Sequence, residues 1–175
     1  MSLDTTIRIA ENLIDLIDSN EFSRVYTQIW KYIDTLEDIG DFTAALLESG
    51  IDPLQHMTSA PQGYLFGQKI KKITIPAHVA NIYRRAFAYC EVTEVTVSEG
   101  CVTLHDDAFY GCFNLDTVYI PSTVQELGAE CFGATMLKKI VYNGTYQQWQ
   151  SIVNGQDVFP RVGVALHCTD GTYTF

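Results

Sequence analysis

Four histidines and five cysteines are the side chains of this chain best suited to proton transfer, nucleophilic attack or metal binding. Two groupings stand close together. Cys101 and His105 lie four apart, and an imidazole beside a thiol could generate a thiolate nucleophile. His167, Cys168 and Asp170 form a second compact set. Cys101, however, occupies an apolar slot of the repeat described next, which would bury the thiol and leave it inert. The chain has no Gly-rich phosphate loop, no HExxH and no specific pair of carboxylates. Its cysteines lack CxxC pairs and zinc-like spacing. No catalytic residue, metal ligand, cofactor or disulfide is therefore expected, and the chain does not read as an enzyme. The thiols read as small buried hydrophobes, which suits a reducing compartment. Asn143-Gly144-Thr145 fits a glycosylation acceptor, but it reads better as a turn leading into a helix cap.

The elements that would position these groups repeat every 22 or 23 residues between Ile70 and Tyr142. The apolar triplets Ile70-Ile73-Ile75, Val92-Val95-Val97, Leu115-Val118-Ile120 and Leu137-Ile140-Tyr142 stand in register. Three of them continue into a second block: Val79, Ile82, Ala86-Phe87; Cys101, Leu104, Ala108-Phe109; and Val124, Leu127, Cys131-Phe132. A fixed period of this size implies stacked supersecondary units. Alternation in Ile73-Thr74-Ile75 or Val118-Tyr119-Ile120 predicts a short strand with one buried face. Pro76 and Pro121 end two of these strands by removing a backbone donor. A short helical piece is expected after each, from about Ile82 to Tyr89 in the first unit. Phe87, Phe109 and Phe132 should then form an offset-stacked column. Cys90 and Cys112 share a slot ~5 Å apart, but parallel side chains disfavour a bond between them.

The pattern I-x-x-I-x-I-P-x-x-V-x-x-I-x-x-x-A-F-x-x-C, which Ile70 to Cys90 fits position by position, resembles the BspA-like class of leucine-rich repeats. The second unit carries Ser98 in place of the proline and one extra residue before Cys101. The third has Cys131 for Ala and Thr135 for Cys. Tyr142 to Thr145, Gln148-Trp149 and His167 to Gly171 resemble the way such arrays end. The resemblance covers residues 64 to 175. It implies an α/β fold: a short right-handed leucine-rich-repeat solenoid of about four short parallel strands with a C-terminal helix and strand cap; the helical residues before it read as an N-terminal α-helical cap domain, because the end of such an array needs covering. It also implies a recognition or attachment role, as in bacterial surface proteins and phage-encoded proteins of this class.

Two domains are expected, an acidic helical one over 1–60 and the array with its cap over 61–175. Residues 1–60 hold 11 acidic and 3 basic residues, a net of -8, out of -10 for the whole chain. Ala10, Leu13, Ile14 and Ile17 make an apolar stripe after a cap at Asp4. A second helix is expected from Glu21 to Leu36, with Val25, Ile29, Ile33 and Leu36 on one face. A third is expected from a cap at Asp41 to Gly50, with Ile51 and Pro53 beyond it. Trp30 and Tyr26 would lie outside the stripe, free to meet a partner. Residues 58–63 read as a linker. Thr145 to Gln148 reads as a capping box, with Trp149 and Ile152 facing inward, Gly155 as the stop, and Val162, Val164 and Leu166 as a strand turning at Asp170-Gly171.

An acidic chain with few basic clusters is a poor binder of nucleic acid. No apolar run is long enough to span a membrane. The first residues do not read as a secretion signal, so a cytoplasmic or virion-associated site is expected. The outward residues of the strands form two columns: Lys72, Glu94, Thr117, Lys139, and Thr74, Thr96, Tyr119, Val141. These, with Trp30, are the candidate contacts for a protein partner. The first functional reading is a non-catalytic protein-protein interaction module. The second is a structural component that assembles as a homo-oligomer through residues 1–60. A distant third is an acidic inhibitor of a nucleic-acid enzyme.

Overall fold

A computed structural model of the chain describes residues 8, 19–29, 33, 35–160 and 162–175. Asp4, the stripe from Ala10 to Ile17, and Trp30 lie outside the described residues.

Four strands repeat the triplet: β2 (Lys72–Ile75), β4 (Glu94–Val97), β6 (Thr117–Ile120) and β8 (Lys139–Tyr142). In each, the second and fourth residues are buried. They pair in parallel without slippage: Lys72 opposite Glu94, Glu94 opposite Thr117, Thr117 opposite Lys139. A slip of one residue would turn the buried valines and isoleucines to water, so the burial pattern fixes the register. The face was expected to hold four strands. Two more join it, β9 (Ala165–Cys168) and β10 (Gly171–Thr174), giving the order β10-β9-β8-β6-β4-β2.

A second sheet runs alongside. It consists of the two-residue strands β1 (Ser59–Ala60), β3 (Asn81–Ile82), β5 (Thr103–Leu104) and β7 (Glu126–Leu127). Residues 58–63 are thus not a linker: β1 pairs with β3 and Ala60 is fully buried. Nor is Ile82 to Tyr89 a helix. Ile82 is in β3, and the chain then turns through left-handed residues four apart, Arg85 (φ 55°) and Tyr89 (φ 60°). Asp107 and Gly111 repeat the pair in the next coil, and Glu130 and Ala134 in the one after. Left-handed residues break the right-handed helical path. Backbone donors reach the neighbouring coil instead: Phe87 to the Ala108 carbonyl at 2.9 Å, Tyr89 to Tyr110 at 2.8 Å, Phe109 to Cys131 at 2.8 Å and Gly111 to Gly133 at 2.9 Å.

The phenylalanine column is present. Phe87 and Phe109 lie 5.1 Å apart with planes 6° from parallel, and Phe109 and Phe132 lie 5.5 Å apart at 18°. All three are fully buried. Cys90 and Cys112 remain free, each donating its thiol to a carbonyl of the preceding coil, Leu65 and Phe87. Tyr64 meets Phe87 edge-on at 5.7 Å and begins the N-terminal cap.

That cap contains α1 (Ser19–Ile29) and α2 (Leu36–Glu48). Among the described side chains of α1, Phe22 and Tyr26 are buried, while Val25 and Ile29 are half-buried. Tyr26, expected to be available to a partner, is only 2% exposed. Its ring lies 5.8 Å from Phe42, and its hydroxyl is hydrogen-bonded to that of Thr43. Thr43 uses its own hydrogen on the Ile39 carbonyl, so it accepts from Tyr26. Asp41 does not begin α2, and Leu36 does not extend α1. Thr35 caps α2 by accepting from the Asp38 N–H, and Asp41 accepts from Gln68. At the other end Gly50 is left-handed (φ 83°). Gly50 N–H bonds the Leu47 carbonyl and Ile51 N–H that of Leu46, a Schellman ending. Phe22, Tyr26, Phe42 and Leu46 share one continuous buried core with the array.

At the C-terminal end α3 (Tyr146–Val153) follows a complete capping box of Thr145 and Gln148. Trp149 and Ile152 are buried as expected, and left-handed Asn154 and Gly155 end the helix. The strand begins at Ala165 rather than Val162, which stands 92% exposed. β10 then returns antiparallel to β9.

Candidate functional site

The parallel register gathers eight of the nine candidate contacts on one face. Lys72, Glu94, Thr117 and Lys139 align as one row. Thr74, Thr96, Tyr119 and Val141 align as the next, and His167 extends it. The Lys72 ammonium lies 2.9 Å from the Glu94 carboxylate. Flanking the face, Lys71 meets Glu91 at 3.3 Å and Lys138 meets Asp116 at 2.7 Å. The Lys138 ammonium and the Thr117 hydroxyl hold the Asp116 carboxyl below its usual range. These pairs are exposed, so each adds at most ~1 kcal/mol. Of the three, the Lys72–Glu94 pair is the one that lies within the row.

Where β4, β6, β8 and β9 end, this face opens into a groove of about 540 Å³. Tyr119, Val141 and Pro121 give it apolar walls, and Glu99, Asn143 and His167 add polar groups. Asn143 Nδ2 donates to Glu99 Oε1 at 3.3 Å, bridging two strand ends across the one that carries Pro121. Tyr119 is 36% exposed, a large amphipathic ring beside an open space. Sequence reasoning identified Tyr119 and Val141. It missed Glu99, Asn143 and His167, although the repeat spacing placed Asn143 in the same slot as Pro121.

The two His/Cys groupings do not assemble a nucleophile with its base. Cys101 is fully buried, and burial pushes its thiol up to about 11. The ring of His105 stacks on Tyr83 at 4.9 Å. His167 Nδ1 is 3.0 Å from the Thr172 hydroxyl, and Asp170 accepts from the Tyr146 N–H that opens α3. Burial, and then the Asp170 carboxylate, push the Cys168 thiol up to about 11. Thr145, the third residue of the glycosylation-like triplet, uses its hydroxyl as the cap of α3. Among the described residues, no three His, Cys, Asp or Glu side chains cluster as metal ligands would, and no helix is long and apolar enough to cross a membrane.

Residues 55–154, more than half of the chain, match the BspA type leucine rich repeat region in six copies, and the chain belongs to that family. The match begins at Gln55, so it includes the β1 coil. No curated protein matches the chain, and neither does any solved structure. Solenoids of this class present extended binding surfaces rather than active sites, and leucine-rich repeat domains generally mediate protein-protein interaction.

Proposed function

We propose that this protein is a non-catalytic recognition module whose working surface is the outward face of the six-stranded sheet. The observation that carries this reading is the in-register row Thr74, Thr96, Tyr119, Val141 and His167, which ends at the groove. Its members come from five different strands, so the interior that fixes the register also fixes the surface. A partner segment laid across the strands would meet threonine hydroxyls first and an aromatic and apolar anchor at Tyr119 and Val141. Such a half-exposed tyrosine is the residue type that dominates binding energy at protein interfaces. Lys72, Glu94, Thr117 and Lys139 supply the polar rim. The face is about 24 Å across, counting five strand gaps of ~4.8 Å.

The test is a paired capture from native lysate. A Lys72→Ala, Tyr119→Ala, Lys139→Ala triple variant should lose the partner that the wild-type chain retains. A matched triple on the second sheet, at Asn81, Thr103 and Glu126, should keep it. Unchanged capture by the first variant would end the strand-face reading.

A further inference from the structure

The six-stranded sheet has two edges, β2 and β10, and they are not alike. β2 carries Lys72, follows Lys69 and Lys71, and is stopped by Pro76. Charge and proline at an edge are the usual protection against pairing with another chain. β10 reads Gly-Thr-Tyr-Thr, with no charge, no proline and three exposed residues.

Among the described residues, which backbone groups of β10 are left without a partner follows from its neighbours. Ala165 N–H bonds the Lys138 carbonyl at 2.8 Å and Thr169 N–H bonds that of Gly144 at 2.9 Å. Alternation along β9 then turns Leu166 and Cys168 toward β10, where they oppose Tyr173 and Gly171. Phe175 N–H also points inward, to the Val164 carbonyl at 3.1 Å. Thr172 and Thr174 therefore direct their N–H and C=O groups away from the sheet.

The geometry points to a second copy of this chain as the occupant of that edge, with β10 docked antiparallel on β10 across a two-fold axis at Tyr173. In that register Thr172 of each copy faces Thr174 of the other. Each such pair exchanges both of its bonds, because the outward residues are two apart. β10 itself carries no charged side chain, so two chains of net charge -10 would set none of its side chains charge against charge. The strand is already held in place. Tyr173 stacks on Tyr146 at 3.9 Å, and the Thr172 hydroxyl is fixed on His167. Less ordering is then needed on docking. The product would be one continuous sheet about 53 Å across, from eleven gaps of ~4.8 Å. This inference does not depend on which partner the face takes.

Sedimentation equilibrium of the full chain over micromolar to submillimolar concentration tests it. The wild type should pass from monomer to dimer. Thr174→Pro removes an outward N–H and leaves the ladder to β9 intact, so dissociation should become about tenfold easier through loss of two bonds per dimer. Thr174→Glu puts a carboxylate at the edge of an already acidic chain and should do the same, and it decides the matter if the proline variant is misfolded by circular dichroism. Amide exchange at Thr172 and Thr174 should slow as concentration rises. A wild type that stays monomeric throughout would overturn the proposal. So would a dimer that both variants leave intact, which would place association elsewhere.

Discussion

At its N-terminal end the solenoid is sealed by rings. Tyr64 stands edge-on to Phe87, Tyr26 lies 6.5 Å beyond it, and Phe22 and Phe42 flank Tyr26 at 5.9 and 5.8 Å. At its C-terminal end the phenylalanine column stops at Phe132, whose N–H bonds the Val158 carbonyl. Closure there passes to α3, where Trp149 meets Tyr142 at 5.5 Å, and to the β9-β10 pair. The helical end covers the interior without lengthening the six-stranded sheet. The strand end covers the interior too, but moves the sheet's edge two strands outward. A side chain can end a hydrophobic column, whereas a ladder of backbone groups ends only where something other than another strand meets it.

The comparison breaks most severely at its shared middle. Phe109→Ala should destabilise the fold by ~3–5 kcal/mol in denaturant titrations. Phe87→Ala and Phe132→Ala should each be milder, because Phe109 alone has a parallel ring on both sides. Equal losses at all three would show that the column does not act as a stack.

The N-terminal seal is tested at Gly40. Glycine to alanine within a helix ordinarily helps by ~1 kcal/mol. Here a methyl group would lie 2.3 Å from the Phe66 carbonyl oxygen, so Gly40→Ala should instead destabilise by ~1–3 kcal/mol. A stabilised variant would mean that α2 is not seated on the first coil. At the C-terminal end Thr145→Ala removes one cap and should cost ~1 kcal/mol, visible as a lowered Tm.

Thiol chemistry sharpens the contrast with least effect on the fold. Cys168 is the one half-buried cysteine, and the other four are buried. Its raised pKa keeps the thiol protonated at neutral pH. Alkylation at pH 8 should be roughly a hundredfold slower than for an unshifted thiol, rising about tenfold per pH unit toward 11. Rapid labelling at pH 8 would contradict the partial burial of Cys168 beside the Asp170 carboxylate.

Much of the array was legible because one period of two sits inside a longer period of 22 or 23. Ile73-Thr74-Ile75 and its copies could only alternate, and copies in register could only stack. The turn was not legible. Its left-handed slots hold Arg85, Tyr89, Asp107, Glu130 and Ala134, residue types that normally favour other conformations, and Ala86-Phe87 beside arginines resembles a helix. Gly63, Gly67 and Gly111, also left-handed, were the available hint. Tyr26 was misplaced because the apolar stripe of α1 was drawn through Val25 and Ile29, while its largest rings set the buried side. The two expected rows of outward residues align on one face. Its continuation through His167 was hidden, because β9 lies outside the repeat and carries little of its pattern.

The left-handed turn has a consequence for how the molecule would appear to solvent hydrogen. Residues 87, 89, 109 and 111 belong to no helix or strand, yet each N–H is tied to the following coil. In deuterium uptake they should be as slow as the strand amides around them, a third protected stripe along the stack where a secondary-structure diagram draws only loop.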